Sequence, residues 1–226
     1  MDRAQQVLKR LRELADPARL PGMARYGIAV DTALGVPVPE LRRLARLLGK
    51  DHGLALGLWR TGVHEARILA GMVDDPVRVT QAQMERWVRD LRSWDLCDQV
   101  CMNLFDRTPF AFEKAVAWSC REPEFEKRAG FALMACAAVH RKDVADEPFE
   151  AFLPFIERAA TDERNYVKKA VNWALRQIGK RNAPLNREAI AAAERIRALD
   201  SKTARWIATD ALRELTSPAV RRRLAR

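Results

Sequence analysis

Long apolar runs are missing. No window of the 226 residues reaches the about 18 uninterrupted apolar positions a membrane-spanning helix needs, which sets aside an integral membrane protein built of helices. The opening stretch, MDRAQQVLKRLRELAD, reads as an amphipathic helix bearing acidic residues. It lacks the basic head and apolar run of a secretory signal. Cysteine is scarce: Cys97, Cys101, Cys120 and Cys136 all fall inside apolar helical patterns, so they are expected to be reduced core thiols in a cytoplasmic protein. Only three histidines occur, none at zinc spacing from a cysteine pair, and HEARI lacks the second histidine of a zinc-protease helix because Ile68 stands there. There is no Walker loop and no dinucleotide-binding fingerprint, so no metal or nucleotide cofactor is expected. No Asn-Gly or Asp-Gly turn joins two β-branched runs, which argues against hairpins of strands.

What is present is charge of mostly one sign and helical periodicity. Forty Lys and Arg against thirty Asp and Glu leave a formal charge of +10. That favours an acidic partner, nucleic acid ahead of an anionic membrane surface. No helix combines a large basic face with exposed bulky apolar residues, so the membrane-surface reading ranks last. Breakers separate periodic segments: GVPVPE precedes LRRLARLLGK, DDPVRVTQ precedes MERWVRDL, and DRTPF precedes AFEKAVAW. Thr80 with Gln83 reads as a capping box, Pro154 is expected to kink or split its helix, and Ser217 with Pro218 starts the last helix.

Four segments share a pattern of charges followed by small and large apolar residues: HEARILAGM, EKRAGFALM, VKKAVNWAL and KTARWIATDAL. Aligning Ala66, Ala129, Ala170 and Ala204 gives separations of 63, 41 and 34 residues. Taking the first as two units, the period falls at roughly 30–40 residues, the range of two-helix HEAT-type repeats. The expectation is a single all-α HEAT-like array over residues 1–226, a curved solenoid with a basic concave face. A compact non-repeating bundle is the alternative.

Two helices carry residues that the core does not explain. Over 164–181, Val167, Ala170, Val171, Ala174, Leu175 and Ile178 form the buried stripe, while Lys169, Trp173, Arg176 and Lys180 share another lane. A tryptophan within a cationic lane is either a snorkelled surface residue or an aromatic aimed at nucleic acid, and the latter is slightly favoured. In SWDLCDQV, Leu96, Cys97, Val100 and Cys101 are buried by periodicity, Trp94 and Asp98 lie on the border, and Asp95, Gln99 and Asp106 point more to solvent. Asp98 is equally well an ion-pair partner or a functional carboxylate. Arg128 lies in a lane with Ala132 and Ala135 on a helix, 124–140, that is apolar nearly all round; it reads as a structural ion pair or a phosphate contact. His64 begins a buried-looking helix, and His52 and His140 sit at or near helix ends.

The stretches ARYGIAVDTALGVPVPELRRLAR, SWDLCDQV, EKRAGFAL and YVKKAVNWALRQIGKRN resemble the AlkD family of DNA alkylation-repair glycosylases, HEAT-like proteins, and the resemblance spans nearly the whole chain. It implies hydrolysis of the N-glycosidic bond of cationic alkylpurines such as N3-methyladenine and N7-methylguanine in duplex DNA, with the lesion left in the stack. It makes Asp98 the catalytic carboxylate, Trp94 and Trp173 its aromatic partners and Arg128 a cationic helper. It places Tyr26, Lys169, Arg176 and Lys180 on DNA. A cytoplasmic, nucleoid-associated monomer acting on double-stranded DNA follows from it. Ser93 departs from the pattern, standing where family members often carry a second aromatic. The rival is a non-catalytic HEAT-like module that binds damaged or unusually shaped DNA.

Overall fold

The computed structural model describes residues 2–225, and among them every regular element is helical. The chain forms two compact units, one running to Thr108 and the other from Pro109. The first contains α1 (Arg3–Glu13), α2 (Leu20–Arg25), α3 (Val38–Leu48), α4 (His52–Arg60), α5 (His64–Val73), α6 (Gln81–Arg89) and α7 (Trp94–Asn103). The second contains α8 (Ala111–Ser119), α9 (Glu124–His140), α10 (Glu147–Glu150), α11 (Leu153–Ala159), α12 (Asn165–Gly179), α13 (Ala183–Arg197), α14 (Lys202–Leu215) and α15 (Pro218–Leu224). Among the described residues no helix is long and apolar enough to cross a membrane.

The breakers act where the sequence puts them. Thr80 accepts from the Gln83 amide at 3.2 Å, closing half of the anticipated capping box. The Gln83 side chain does not return to accept from the Thr80 N–H; its amide nitrogen donates instead to the buried Asp74 carboxylate at 2.6 Å, a charge-assisted bond. Pro154 falls in the first turn of α11, so the expected split lies just ahead of it, between α10 and α11. The capping hydroxyl of Ser217 accepts from the Val220 amide at 3.3 Å.

Each unit is a two-layer stack of helical hairpins, the HEAT-like architecture the repeat implies. In the second unit α9, α12 and α14 lie side by side in one layer, while α8, α11 and α13 form the other. α9 packs against both α8 and α12, and Ala129 to Ala138 are buried without a polar stripe. In the first unit α5 packs against α3, α4 and α7. α4 and α6 meet through Trp59 and Trp87, whose rings stack 3.9 Å apart and 4° from parallel. Cys97, Cys101 and Cys136 are buried as expected, but Cys120 is exposed, because it caps the end of α8 where the apolar stripe has run out.

Two glycines permit close approaches. Gly35 has φ +81°, and a Cβ there would lie 2.1 Å from the Asp16 carbonyl oxygen. At Gly130 a Cβ would meet the Ser119 backbone nitrogen at 2.3 Å, so α9 and α8 touch backbone to backbone. Gly130→Ala is expected to destabilise the protein by about 1–3 kcal/mol through overpacking. Gly22→Ala, with open space around it, serves as the neutral control. Thermal unfolding of the two variants checks this, and equal midpoints would contradict the close α8–α9 contact.

Candidate nucleic-acid interface

The first turn of α7 is pinned by the segment that links α2 to α3. Trp94 Nε1 donates to the Tyr26 carbonyl at 3.0 Å, and the Ala29 amide donates to Ser93 Oγ at 3.3 Å. Glu65, at the start of α5, is buried and accepts from the Leu34 and Gly35 amides at 2.8 and 2.7 Å. Beside it His64 Nε2 lies 2.8 Å from Asp95 Oδ2, and Ser93 Oγ donates to the other Asp95 oxygen. The segment is thereby fastened to two helices by main-chain groups, which have little freedom to drift. The Tyr26 side chain projects from it, 76% exposed.

Asp95 is therefore not the solvent-facing residue that periodicity suggests. The His64 imidazole draws it inward, and Ser93 is buried with it. Asp106 also departs from expectation: it lies in a short 3-10 turn, Phe105–Arg107, and is fully buried. Burial by itself favours the neutral forms of both His64 and Asp95. Their mutual hydrogen bond and charge outweigh it, so the histidine pKa is raised and the carboxyl pKa lowered. One turn further along α7, Asp98 is half-buried beside the Leu96–Cys97–Val100–Cys101 stripe, as Trp94 is. Both residues sit on the core edge that their spacing predicts.

In the second unit Arg128 is 5% exposed, and its Nη1 donates to the Tyr166 carbonyl at 2.6 Å. This ties α9 to the first turn of α12. Asp162 adds a second tie at the same end: burial works against its ionisation, but Arg164 and Lys127 bring its pKa down to about 2. On α12 Lys169 is exposed, and Trp173, Arg176 and the C-cap residue Lys180 are half-buried.

The α12 lane meets α14 as a ladder. Asn172 Nδ2 donates to Asp210 Oδ2 at 2.7 Å, Arg176 Nη1 donates to Glu214 Oε2 at 2.7 Å, and Lys180 Nζ donates to Glu214 Oε1 at 2.6 Å. Arg176 also lies 3.6 Å from Asp210. At the other end of the ladder Lys168 Nζ stands 5.7 Å from the centre of the Trp206 ring. Arg176 and Lys180 are thus committed to carboxylates within the fold, whereas Lys169 is not.

The structure gathers Tyr26, Trp94 and Asp98 around the start of α7, and Arg128, Lys169, Trp173, Arg176 and Lys180 on α9 and α12. Sequence reasoning missed the His64–Asp95 pair and the carboxylates facing Arg176 and Lys180. The signal for the first was two adjacent polar residues opening a buried helix. The signal for the second was Asp210 and Glu214, four apart on the next repeat. Among the described residues no group of three or more His, Cys, Asp or Glu is arranged to hold a metal ion.

The sequence model of a family described as "DNA alkylation repair enzyme" matches residues 7–215. No curated protein matches the chain. Among solved structures, one described as "a new family of proteins related to the HEAT-like repeat DNA glycosylases with affinity for branched DNA structures" is similar with a TM-score of 0.80. It is 20% identical, and the match covers 99% of this chain and 96% of that one, a likeness of fold.

The His64–Asp95 pair makes stability depend on pH in a defined window. The raised histidine contributes fully below its ordinary value of 6.5 and loses its contribution as pH rises through the folded value. The lowered carboxyl contributes above its ordinary value of 3.8 and loses it as pH falls through the folded one. The gap in unfolding free energy between wild type and His64→Gln is therefore expected to be widest between these limits and to shrink towards pH 9. Urea titrations across pH measure it, and a gap that widens in alkali would contradict the pair.

Proposed function

Since the chain belongs to the DNA alkylation repair enzyme family, we propose that it is a DNA glycosylase acting on cationic alkylpurines, N3-methyladenine and N7-methylguanine, in duplex DNA. The observation that carries this reading is the pairing of Trp94 and Asp98, half-buried on one face of a helix whose first turn is fixed to the Tyr26–Gly35 segment. A protein that only held DNA would gain by losing a carboxylate near phosphates. A carboxylate is useful where positive charge develops.

The chemistry suits these groups. Water adds at C1′ of the deoxyribose as the C1′–N bond breaks. The purine leaves with the bonding pair and so loses its formal positive charge, and the proton of the attacking water passes to solvent. No strong general acid is required, because the leaving base is already cationic. Asp98 stabilises the sugar cation electrostatically and aligns the water. The face of Trp94 favours the same cation by about 0.5–2 kcal/mol, and Trp173 offers the DNA a second aromatic face. Arg128, held by the Tyr166 carbonyl, serves as the cationic helper, and Tyr26 and Lys169 contact the DNA directly. Arg176 and Lys180 reach a phosphate only by exchanging Glu214 for it, one anion for another, with no net gain in charge pairing. The lesion stays in the duplex, gripped through its backbone.

A second reading is a non-catalytic module that binds misshapen DNA. The affinity for branched DNA described for the structural relative supports it.

Incubation of the protein with methylated duplex DNA, followed by quantification of free methylpurines, separates the two. Release by the wild type, reduced about 100-fold or more in Asp98→Asn, is the expected result. Absence of release from both proteins, with retained binding to branched DNA, would favour the second reading.

A further inference from the structure

The ladder between α12 and α14 is neutralised at one end only. Towards the helix C-termini Arg176 and Lys180 face Asp210 and Glu214. Towards the N-termini the facing pair is Lys168 and Trp206, and no carboxylate of the described residues lies within ion-pair distance of Lys168, Lys169 or Lys202. Arg205, next to the tryptophan, has only the fully exposed Asp200 at 3.6 Å. Trp206 itself is 43% exposed, unlike the core tryptophans Trp59, Trp87 and Trp118. Both helix N-termini, which carry partial positive charge, lie at this unneutralised end, since facing residues advance together along the two helices.

Trp206 lies outside the buried stripe of α14, formed by Ala204, Ile207, Ala208, Ala211 and Leu215, and presents a partly exposed indole beside Lys168. The combination is what a single nucleic-acid strand needs: cations for successive phosphates and an aromatic face on which one base can stack. A base inside an intact duplex cannot offer its face, whereas an unpaired one can. We propose that Trp206 and Lys168, flanked by Lys169, Lys202 and Arg205, form a second DNA contact that takes an unpaired nucleotide, the indole stacking on its base and the cations holding its phosphates. This rests on the DNA-binding reading and adds to it a site on α14 apart from Asp98.

The test uses the full chain and two labelled DNAs, a perfect duplex and the same duplex with one bulged nucleotide, titrated by fluorescence anisotropy. Trp206→Ala is expected to weaken binding to the bulged DNA on the order of tenfold while changing the duplex affinity less than twofold. Trp206→Phe should retain most of the wild-type preference, and Lys168→Gln should weaken both DNAs and flatten their salt dependence. Equal affinities of wild type and Trp206→Ala for the bulged DNA would overturn the proposal while leaving DNA binding standing. A wild type that binds neither DNA would overturn both. A Trp206→Ala variant that keeps its affinity but dissociates a self-associated species would assign the surface to a contact between copies of the chain and overturn the proposal as well.

Discussion

The arrangement of charge in this protein depends on one geometric constraint: neighbouring hairpins are stacked so that facing residues keep a constant separation in sequence. In the second unit Arg128 meets Tyr166, Asn172 meets Asp210, Arg176 meets Glu214 and Glu157 meets Arg195, each at an offset of 38. In the first unit Trp59 meets Asp90, His64 meets Asp95 and Leu34 meets Glu65, each at an offset of 31. A cation on one helix therefore finds a carboxylate or an open space according to what the next repeat carries at that offset. Arg176 finds Glu214. Lys168 finds Trp206.

The same constraint gives the candidate site its rigidity. Asp98 lies one turn beyond the part of α7 that Asp95, Ser93 and Trp94 fasten, and those three are held by His64 and by main-chain groups of the Tyr26–Gly35 segment. Gly35 lets that segment pass against the Asp16 carbonyl, where any side chain would collide. Under the proposed glycosylase reading such a mount matters, because electrostatic stabilisation depends on the charge being in place before the bond breaks. The polar cost of the mount, a buried histidine and two carboxylates, is offset because each has a partner.

Much of this was legible beforehand. Helix 124–140 has the bounds its apolar pattern suggests, and the buried stripe of α12 is the predicted one. Trp94 and Asp98 sit at the core edge, and Trp173 lies off the buried stripe of α12, because periodicity assigns faces well. Periodicity could not show the partner across the layer. Asp95 looks exposed from its own helix and is drawn inward by a residue 31 positions earlier. Arg176 and Lys180 look like a phosphate lane until Glu214 is placed opposite them. The alignment on four alanines gave a period near the true ones without fixing either offset, and the offset decides which cations remain available.

In the proposed DNA-binding reading, DNA is gripped by cations that the fold leaves unpaired. The most direct measurement is the slope of log binding constant against log salt concentration for duplex DNA, in wild type, Lys169→Gln and Arg176→Gln. Loss of one phosphate contact lowers that slope by about one. This loss is expected for Lys169→Gln, with an unchanged slope for Arg176→Gln. A reduced slope in Arg176→Gln with none in Lys169→Gln would contradict it.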